Sequence, residues 1–421
     1  MKKKLIISYN RIREHLWFRP FLFCLLSVAG ALIAHQADGI GINDIVPNID
    51  KESIGGLLDT IAASMLVISI FAVASMLSAF SSASSTATPR SFKIVVTDDV
   101  SQNALSVFIG AFIFSIVATI ALDNGYYEKA GRFILFLFTL ILFAIVILTF
   151  LRWVDRISRL GRLEHTINQV ETVASKSLSA YIKNPSLKAL TINGIFPNEN
   201  AVMANSIGYI QHINLEDLQS LAEEFELKIR LNCIPGKFVH SNFAIAHFVM
   251  DKNKDIDIDN IRKGINNTIL VGQTRLFDED PRFGLISLTE IASRALSPGI
   301  NDPGTAIQII GSHERLFFLW NKEIENSNET EVVYNRIEVP EISMEDFFDD
   351  AFRPIARDGA DNIEVMLRLQ KALNSIATIN NLDIKENAIR NSRDAYERAQ
   401  KAINSEHDLN ILEKQCIFKN E

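Results

Sequence analysis

Four long apolar segments in the first 151 residues constrain this chain more than any other feature of its sequence. They cover residues 16–34, 57–80, 104–122 and 133–151. Each has the length of about 20 mainly apolar residues that an α-helix needs to cross the hydrocarbon core of a bilayer. The fourth segment carries no charge, whereas Arg19 and Pro20 interrupt the start of the first. The sequence therefore predicts an α-helical membrane domain of four transmembrane helices, followed by a soluble region.

Basic residues flank these segments asymmetrically. They are Lys2, Lys3, Lys4, Arg11 and Arg13 before the first segment, and Arg152, Arg156, Arg159 and Arg162 after the fourth. The loop between the first and second segments is mainly acidic. Because basic flanks stay on the cytoplasmic side, we expect a multi-pass protein of the inner (plasma) membrane with both termini in the cytoplasm. A signal peptide cleaved near Ala34 or Ala37 is the alternative for the first segment, but the long charged leader and three further segments favour a retained helix.

The composition of the chain argues against several classes of protein. The net charge of -8 argues against nucleic-acid binding. Cys24, Cys233 and Cys416 are far apart and form no C-x-x-C pair, so neither a disulfide framework nor a zinc site is indicated. The sequence contains no H-E-x-x-H, G-x-S-x-G or Walker A motif. We therefore predict no catalytic, cofactor-binding or metal-binding residues.

The second apolar segment is rich in serine and alanine. One stripe at helical spacing contains Ser64, Phe71, Ser75, Ser78 and Ser82. Small residues favour close packing between membrane helices, which is one interpretation of the stripe. The alternative is that these hydroxyl groups line a water-filled path, which makes the five residues candidates for a pore lining.

The soluble region divides by pattern into three parts. Apolar residues recur every three or four positions after Trp153, which predicts an amphipathic connector helix and loop over residues 153–200. Short β-like segments bounded by Gly, Pro and Asn predict a β-rich module over residues 201–255. Residues 256–421 are predicted to be mainly helical, with helices at 260–271, 344–377 and 384–412. With the membrane domain at residues 1–152, the predicted fold class is a four-helix membrane domain followed by an α+β cytosolic domain.

The β-rich module resembles a known type of small domain. Residues 208–213 and 236–239 are similar to the hairpins of biotinyl- and lipoyl-like hammerhead domains, in which a strand that begins with glycine pairs with a G-x-x-V turn. No lysine stands at a modification turn between the hairpins. The resemblance therefore implies a small structural β-sandwich and no attached cofactor.

The densest group of charged residues lies between residues 275 and 306. The candidate cluster consists of Arg275, Asp280, Arg282, Arg294, Asn301 and Asp302. The string SPGINDPGTA ends one helix and begins the next, with Pro303 at its first position. One interpretation is a network of arginines and carboxylates that clamps two turns. The alternative is a cytosolic ligand-binding or subunit-contact site at a helix N-terminus, where anions are favoured.

Several strings in the chain resemble one family of bacterial predicted membrane proteins, grouped as domain of unknown function 2254. They are LWFRP, TIAASM, TPRSFKIVVTDDVSQNALSVFIGAF, GYIQHINLEDL and DPRFGLISLTEIASRALSPGINDPGTA. The resemblance covers nearly the whole chain. The resemblance implies the architecture of the chain, but it does not indicate which biochemical activity the chain has.

Two functions remain open at this point. The first is a homo-oligomeric channel or transporter, in which the serine-rich second helix lines the path and the cytosolic domain gates or assembles it. The second is a membrane-anchored regulatory or scaffold protein whose cytosolic domain binds a partner or ligand. The expected partners are the lipid bilayer, further copies of the chain, and an unidentified ion or small molecule.

Overall fold

The structure is a computed structural model that describes residues 17–39, 45–90, 99–159, 162–197, 200–250, 257–326, 331–416 and 418. The basic residues at positions 2–13, on which the predicted orientation rests in part, lie outside the described residues. The chain divides into two compact units, Met1–Thr166 and Ile167–Glu421.

The described residues of the first unit form four long helices. They are α1 (Phe18–Gln36), α2 (Lys51–Thr86), α3 (Asp99–Asp123) and α4 (Lys129–Arg159). All four are long and apolar enough to cross a membrane, which confirms the four predicted helices. The second helix begins six residues earlier than predicted, because the side chain of Asp50 accepts a hydrogen bond from the backbone N–H of Ser53 and caps the helix. Its 36 residues span about 54 Å, so α2 is longer than the hydrocarbon core is thick.

Helix α3 packs against the other three helices of the first unit. Its buried side is made largely of Ala, Gly and Ser, which allow close approach. A Cβ on Gly110 would stand 3.2 Å from the Cβ of Phe23 and from Oγ of Ser27, both on α1. Small residues on α3 therefore set the distance between these two helices.

A turn after α1 holds the start of α4. The side chain of Asp38 is nearly buried and accepts hydrogen bonds from the backbone N–H groups of Gly131, at 2.6 Å, and Glu128, at 3.0 Å. These N–H groups have no partner within the helix. A residue distant in sequence thus caps α4 and ties it to α1.

In the second unit, the part of the chain that the structure describes forms two sheets and a set of helices. The helices are α5 (Leu163–Lys183), α6 (Leu215–Glu224), α7 (Ile258–Asn267), α8 (Phe283–Ala295), α9 (Pro303–Asn326), α10 (Met344–Ala351), α11 (Arg353–Asp358), α12 (Ile363–Ile376), α13 (Leu382–Ala402) and α14 (Glu406–Glu413). The strands are β1 (Ala189–Thr191), β2 (Asn200–Met203), β3 (Gly208–Ile213), β4 (Lys228–Leu231), β5 (Phe238–Val239), β6 (Ala244–Val249), β7 (Ile269–Gly272) and β8 (Tyr334–Val339). The unit is therefore a mixture of α and β structure, as predicted.

Both sheets contain strands from outside the predicted β-rich module. One has the order β1-β8-β4-β6-β2 and the other β5-β3-β7. In the first sheet β8 is parallel to both β1 and β4, while the other pairs are antiparallel. Phe248 of β6 and Leu218 of α6 belong to the apolar core that the strands share with α6 and α7.

Three predicted helices differ from the structure. The helix expected at 260–271 ends at Asn267, because Ile269–Gly272 pairs with β3 and completes the three-stranded sheet. The helix expected at 344–377 is three helices, with Pro354 in the first turn of α11 and Gly359 at its end. The helix expected at 384–412 is two helices, because Ser405 caps a new helix.

Candidate functional site

The five residues of the predicted pore lining lie along one edge of the surface that α2 exposes in the single chain. Ser64, Ser78 and Ser82 are exposed, Ser75 is half-buried and Phe71 is 61 % exposed. At 3.6 residues per turn, the five positions fall within about 60° of one another. The apolar residues Ile70 and Leu77 lie on the far side of the same exposed surface, at 64 % and 62 % exposure.

Phe71 is the one large apolar residue in this serine stripe. Its ring makes an edge-to-face contact with Trp153 of α4, at a centroid distance of 5.9 Å. Trp153 is only 1 % exposed and also contacts the ring of Phe108 on α3. At the level of Phe71, the serine stripe therefore borders α4.

The predicted charged cluster splits into two groups at opposite ends of α8. The first group lies before the helix. Asp280 is 2 % exposed, and its carboxylate binds the Arg275 guanidinium at two points, 2.6 and 2.9 Å long. The same carboxylate accepts hydrogen bonds from the backbone N–H groups of Arg282 and Phe283. Asp280 is thus the ion-pair partner of Arg275 and also the acceptor for two backbone N–H groups at the start of α8, where a negative charge is favourable.

Arg282 extends this first group to α10. Its Nε lies 2.6 Å from Oδ2 of Asp350 and its Nη2 lies 3.1 Å from Oδ1, while Asp346 is a further partner at 3.1 Å. Burial alone would lower the pKa of Arg282, but the hydrogen bond to Asp350 and the charges of Asp350, Asp346 and Asp280 raise it. Burial raises the pKa of Asp350, and this effect outweighs the lowering by Arg282. Arg275, Asp280 and Arg282 therefore form a network with their carboxylate partners at the first of the two turns.

The second group lies after α8, about 18 Å along the helix from the first. Asp302 accepts hydrogen bonds from the backbone N–H and the hydroxyl of Thr305 and caps α9. Asn301 has a φ of 50°, a left-handed conformation that asparagine tolerates. Arg294 is in the last turn of α8, and its backbone carbonyl accepts a hydrogen bond from Ser297. The structure therefore does not unite all six residues in one site.

Two residues of these sites have no signal in the sequence. Gly236, between β4 and β5, has a φ of 94° and lies against the carboxylate of Asp280. Asp350 is 68 residues away from Arg282 in sequence. No local motif relates either residue to the cluster, because both contacts depend on the tertiary fold.

A buried histidine in the helical core was also not predicted. His313 of α9 is completely buried, and its Nε2 lies 2.9 Å from Oγ1 of Thr289 on α8. Thr289 donates its own hydrogen to the carbonyl of Ala351, so His313 donates from Nε2 to Thr289. Burial lowers the pKa of His313 to about 3. This ring is therefore neutral and polar inside an apolar core.

Within the ranges that the structure describes, no group of three or more His, Cys, Asp or Glu residues is arranged to hold a metal ion. The charges of the first group are paired with one another. The geometry of this group supports a structural role, in which it stabilises the start of α8 and its contact with α10.

Comparison with known proteins gives one family and a few partial relatives. The family described as "Predicted membrane protein (DUF2254)" matches residues 13–375. An uncharacterized protein of Mycobacterium bovis and one of Mycobacterium tuberculosis are each 28 % identical to this chain over 110 residues. Those residues are 26 % of this chain and 21 % of either relative, so the match spans about a fifth of the relatives' length. No solved structure matches the chain significantly.

Proposed function

Since the chain belongs to the DUF2254 family of predicted membrane proteins, we propose that it forms a homo-oligomeric channel or transporter in the inner membrane, with a cytosolic domain that gates or assembles it. The single observation that carries this proposal is the serine stripe of α2. A hydroxyl group gains more from water than from lipid tails, and four hydroxyl-bearing positions of one helix share a single edge of its exposed surface.

The packing of the first unit supports a path between copies of the chain. Side chains of α1, α2 and α4 pack around α3, and the cluster that includes Met65, Phe108 and Trp153 fills the interior on one side. The serine stripe lies outside this packed interior. Several copies arranged around an axis, each turning the stripe towards it, would enclose the hydroxyl groups in a shared path.

The second unit is proposed to lie in the cytoplasm, together with both termini. The basic residues at the end of α4 support this orientation. In this proposal the hammerhead-like β-rich module has a structural role in assembly. The turn at Arg294, Asn301 and Asp302 is proposed as a contact with another subunit or with a cytosolic ligand, which the exposure of Ile300 at that turn supports.

Cysteine labelling tests whether the serine stripe meets water. Cys24 is replaced by alanine, while Cys233 and Cys416 are kept because they are buried. Burial raises the pKa of Cys233 to about 12, so this residue contains very little of the reactive thiolate form. Single cysteines at positions 64, 71, 75, 78 and 82 are then treated with a membrane-impermeant thiol reagent in intact membranes.

The controls are single cysteines at Ile70 and Leu77, which are as exposed in the single chain but lie on the far side of the exposed surface. We expect labelling in the stripe and protection at the two controls. Equal protection at all seven positions would contradict a water path and would favour the membrane-anchored scaffold. Flux through liposomes and the subunit number in native mass spectrometry then test transport and oligomerisation separately.

A further inference from the structure

Helix α4 carries one stripe, exposed except at the half-buried Arg156, that is apolar along its middle and basic at its end. Its members are Ile141, Ile145, Leu148, Arg152, Arg156 and Arg159. Their spacing of three or four residues places them on one face of the helix. The three apolar residues are 45–58 % exposed, and Arg152 and Arg159 are exposed as well. We infer that this face binds an anionic phospholipid, with an acyl chain along the apolar part and the headgroup phosphate at the arginines.

The dimensions of the stripe fit one lipid molecule. Ile141 and Arg152 are about 16 Å apart along the helix axis. Half of a hydrocarbon core of about 30 Å is about 15 Å. When the apolar part lies among the acyl chains of one leaflet, the arginines therefore stand at the depth of the headgroups.

Packing on another face of α4 holds the stripe towards the lipid. Trp153 is buried between Phe71 and Phe108, which belong to α2 and α3. Val146, two turns before Trp153, is buried in the same cluster. Rotation of α4 about its axis would expose this tryptophan, so the orientation of the arginines is fixed by the core.

The net positive charge of the stripe favours lipids with an anionic headgroup. The turns from Arg152 to Arg159 contain three arginines and one acidic residue, Asp155, in a chain whose total charge is -8. Asp155 pairs with Arg159 at 2.9 Å. Guanidinium groups bind phosphate oxygens at two points, and the net positive charge favours a headgroup with a net negative charge over a zwitterionic one.

The test uses the full chain purified in detergent, with dioleoylphosphatidylglycerol and dioleoylphosphatidylcholine as probes. The two lipids have the same acyl chains, so a difference between them reports the headgroup. Bound lipid is counted by native mass spectrometry. We expect phosphatidylglycerol to bind at least tenfold more tightly. The triple variant R152Q/R156Q/R159Q should lose about fivefold in affinity for each arginine, or about a hundredfold in all.

Three controls accompany this variant. The triple variant R262Q/K263Q/R357Q removes the same charge from the second unit and should bind phosphatidylglycerol like the wild type. The triple variant R152K/R156K/R159K keeps the charge and should stay within tenfold of the wild type, which tests the proposal even where the glutamine variant fails to fold. The double variant I145S/L148S shortens the apolar part and should weaken both lipids alike.

Three results would overturn the inference. The first is equal binding of both lipids by the wild-type chain. The second is unchanged binding of phosphatidylglycerol by a folded glutamine variant. The third is displacement of phosphatidylglycerol by glycerol 1-phosphate, which would identify the arginines as a site for free phosphate groups. All of these measurements are independent of transport, so they do not depend on the proposed channel function.

Discussion

Gly236 lies directly against the carboxylate of Asp280. A Cβ built on Gly236 would stand 2.4 Å from Oδ2 and 2.7 Å from Oδ1 of that residue, closer than two such atoms can approach. The φ of 94° at Gly236 is also a conformation that residues with a Cβ rarely adopt. The loop between β4 and β5 therefore reaches the start of α8 only because it carries glycine at this position.

Replacement of Gly236 by alanine should destabilise the second unit by about 2–5 kcal/mol. The left-handed conformation costs about 1–2 kcal/mol, and displacement of the buried carboxylate adds about 1–3 kcal/mol. The measurement is thermal unfolding of the full chain, in which 1 kcal/mol lowers the Tm by about 2–4 °C. Gly194→Ala is the control, since Gly194 has a φ of 71° but no atom within 4 Å of its Cβ position. Equal shifts for the two variants would contradict a steric role for Asp280.

Removal of the Asp280 carboxylate should be more damaging. Asp280→Ala removes the acceptor for two backbone N–H groups at the start of α8 and leaves the guanidinium of Arg275, 18 % exposed, without its two-point partner. Loss of one partner of a buried ion pair costs about 3–5 kcal/mol. Thermal unfolding again provides the measurement.

Asp278→Ala is the matched control for this prediction, because Asp278 is an exposed acidic residue in the same loop. It should change the Tm by no more than a surface substitution does. An Asp280 variant that unfolds at the same temperature as the Asp278 variant would show that the network at the start of α8 contributes little to stability.

The features of this protein that can be predicted are those that depend on a small number of residues close together in the sequence. A run such as 133–151 can only be buried in lipid or in a core, so the four helices follow from the sequence alone. The ion pair between Arg275 and Asp280 spans five residues and was predicted as part of a network. Arg294, Asn301 and Asp302 were grouped with it by proximity in sequence, but α8 holds them apart.

The features that were missed depend on contacts between distant parts of the chain. Ile269 and Val271 are β-branched and favour a strand, but Ile269–Gly272 directly follows a helix, and its partner strand β3 lies far earlier in the chain. The break in the helix expected at 344–377 lets Phe348 and Phe352 pack on Phe317 of α9. Contacts with distant parts of the chain therefore decide the structure at both places.

The half-buried ion pair between Arg282 and Asp350 can be compared directly with a more exposed one. In a double-mutant cycle of Arg282→Ala and Asp350→Ala, we expect a coupling energy of about 1–3 kcal/mol, since both side chains are less than one-third exposed. The same cycle on Arg353 and Asp349, of which the arginine is 63 % exposed, should give less than about 1 kcal/mol. Similar coupling energies for the two pairs would contradict a special contribution from the network at α8.

The buried ring of His313 should make the second unit sensitive to acid. The unfolded chain takes up a proton on this side chain near pH 6.5, whereas the folded protein does so only near pH 3. Between these values the unfolded state binds more protons, so the free energy of unfolding falls as the pH falls, by at most about 1.4 kcal/mol per pH unit. The stabilising effect of the neutral ring is fully present above pH 6.5.

Thermal unfolding of the full chain between pH 7 and pH 4 measures this effect. His313→Leu should remove part of the decline in Tm with acid, because leucine fills the same apolar surroundings and does not titrate. His407→Leu changes an exposed histidine of α14 and should leave the decline as it is in the wild type. If the His313 variant lost stability with acid as steeply as the wild type and the His407 variant, the buried ring would not be the group that responds to protons.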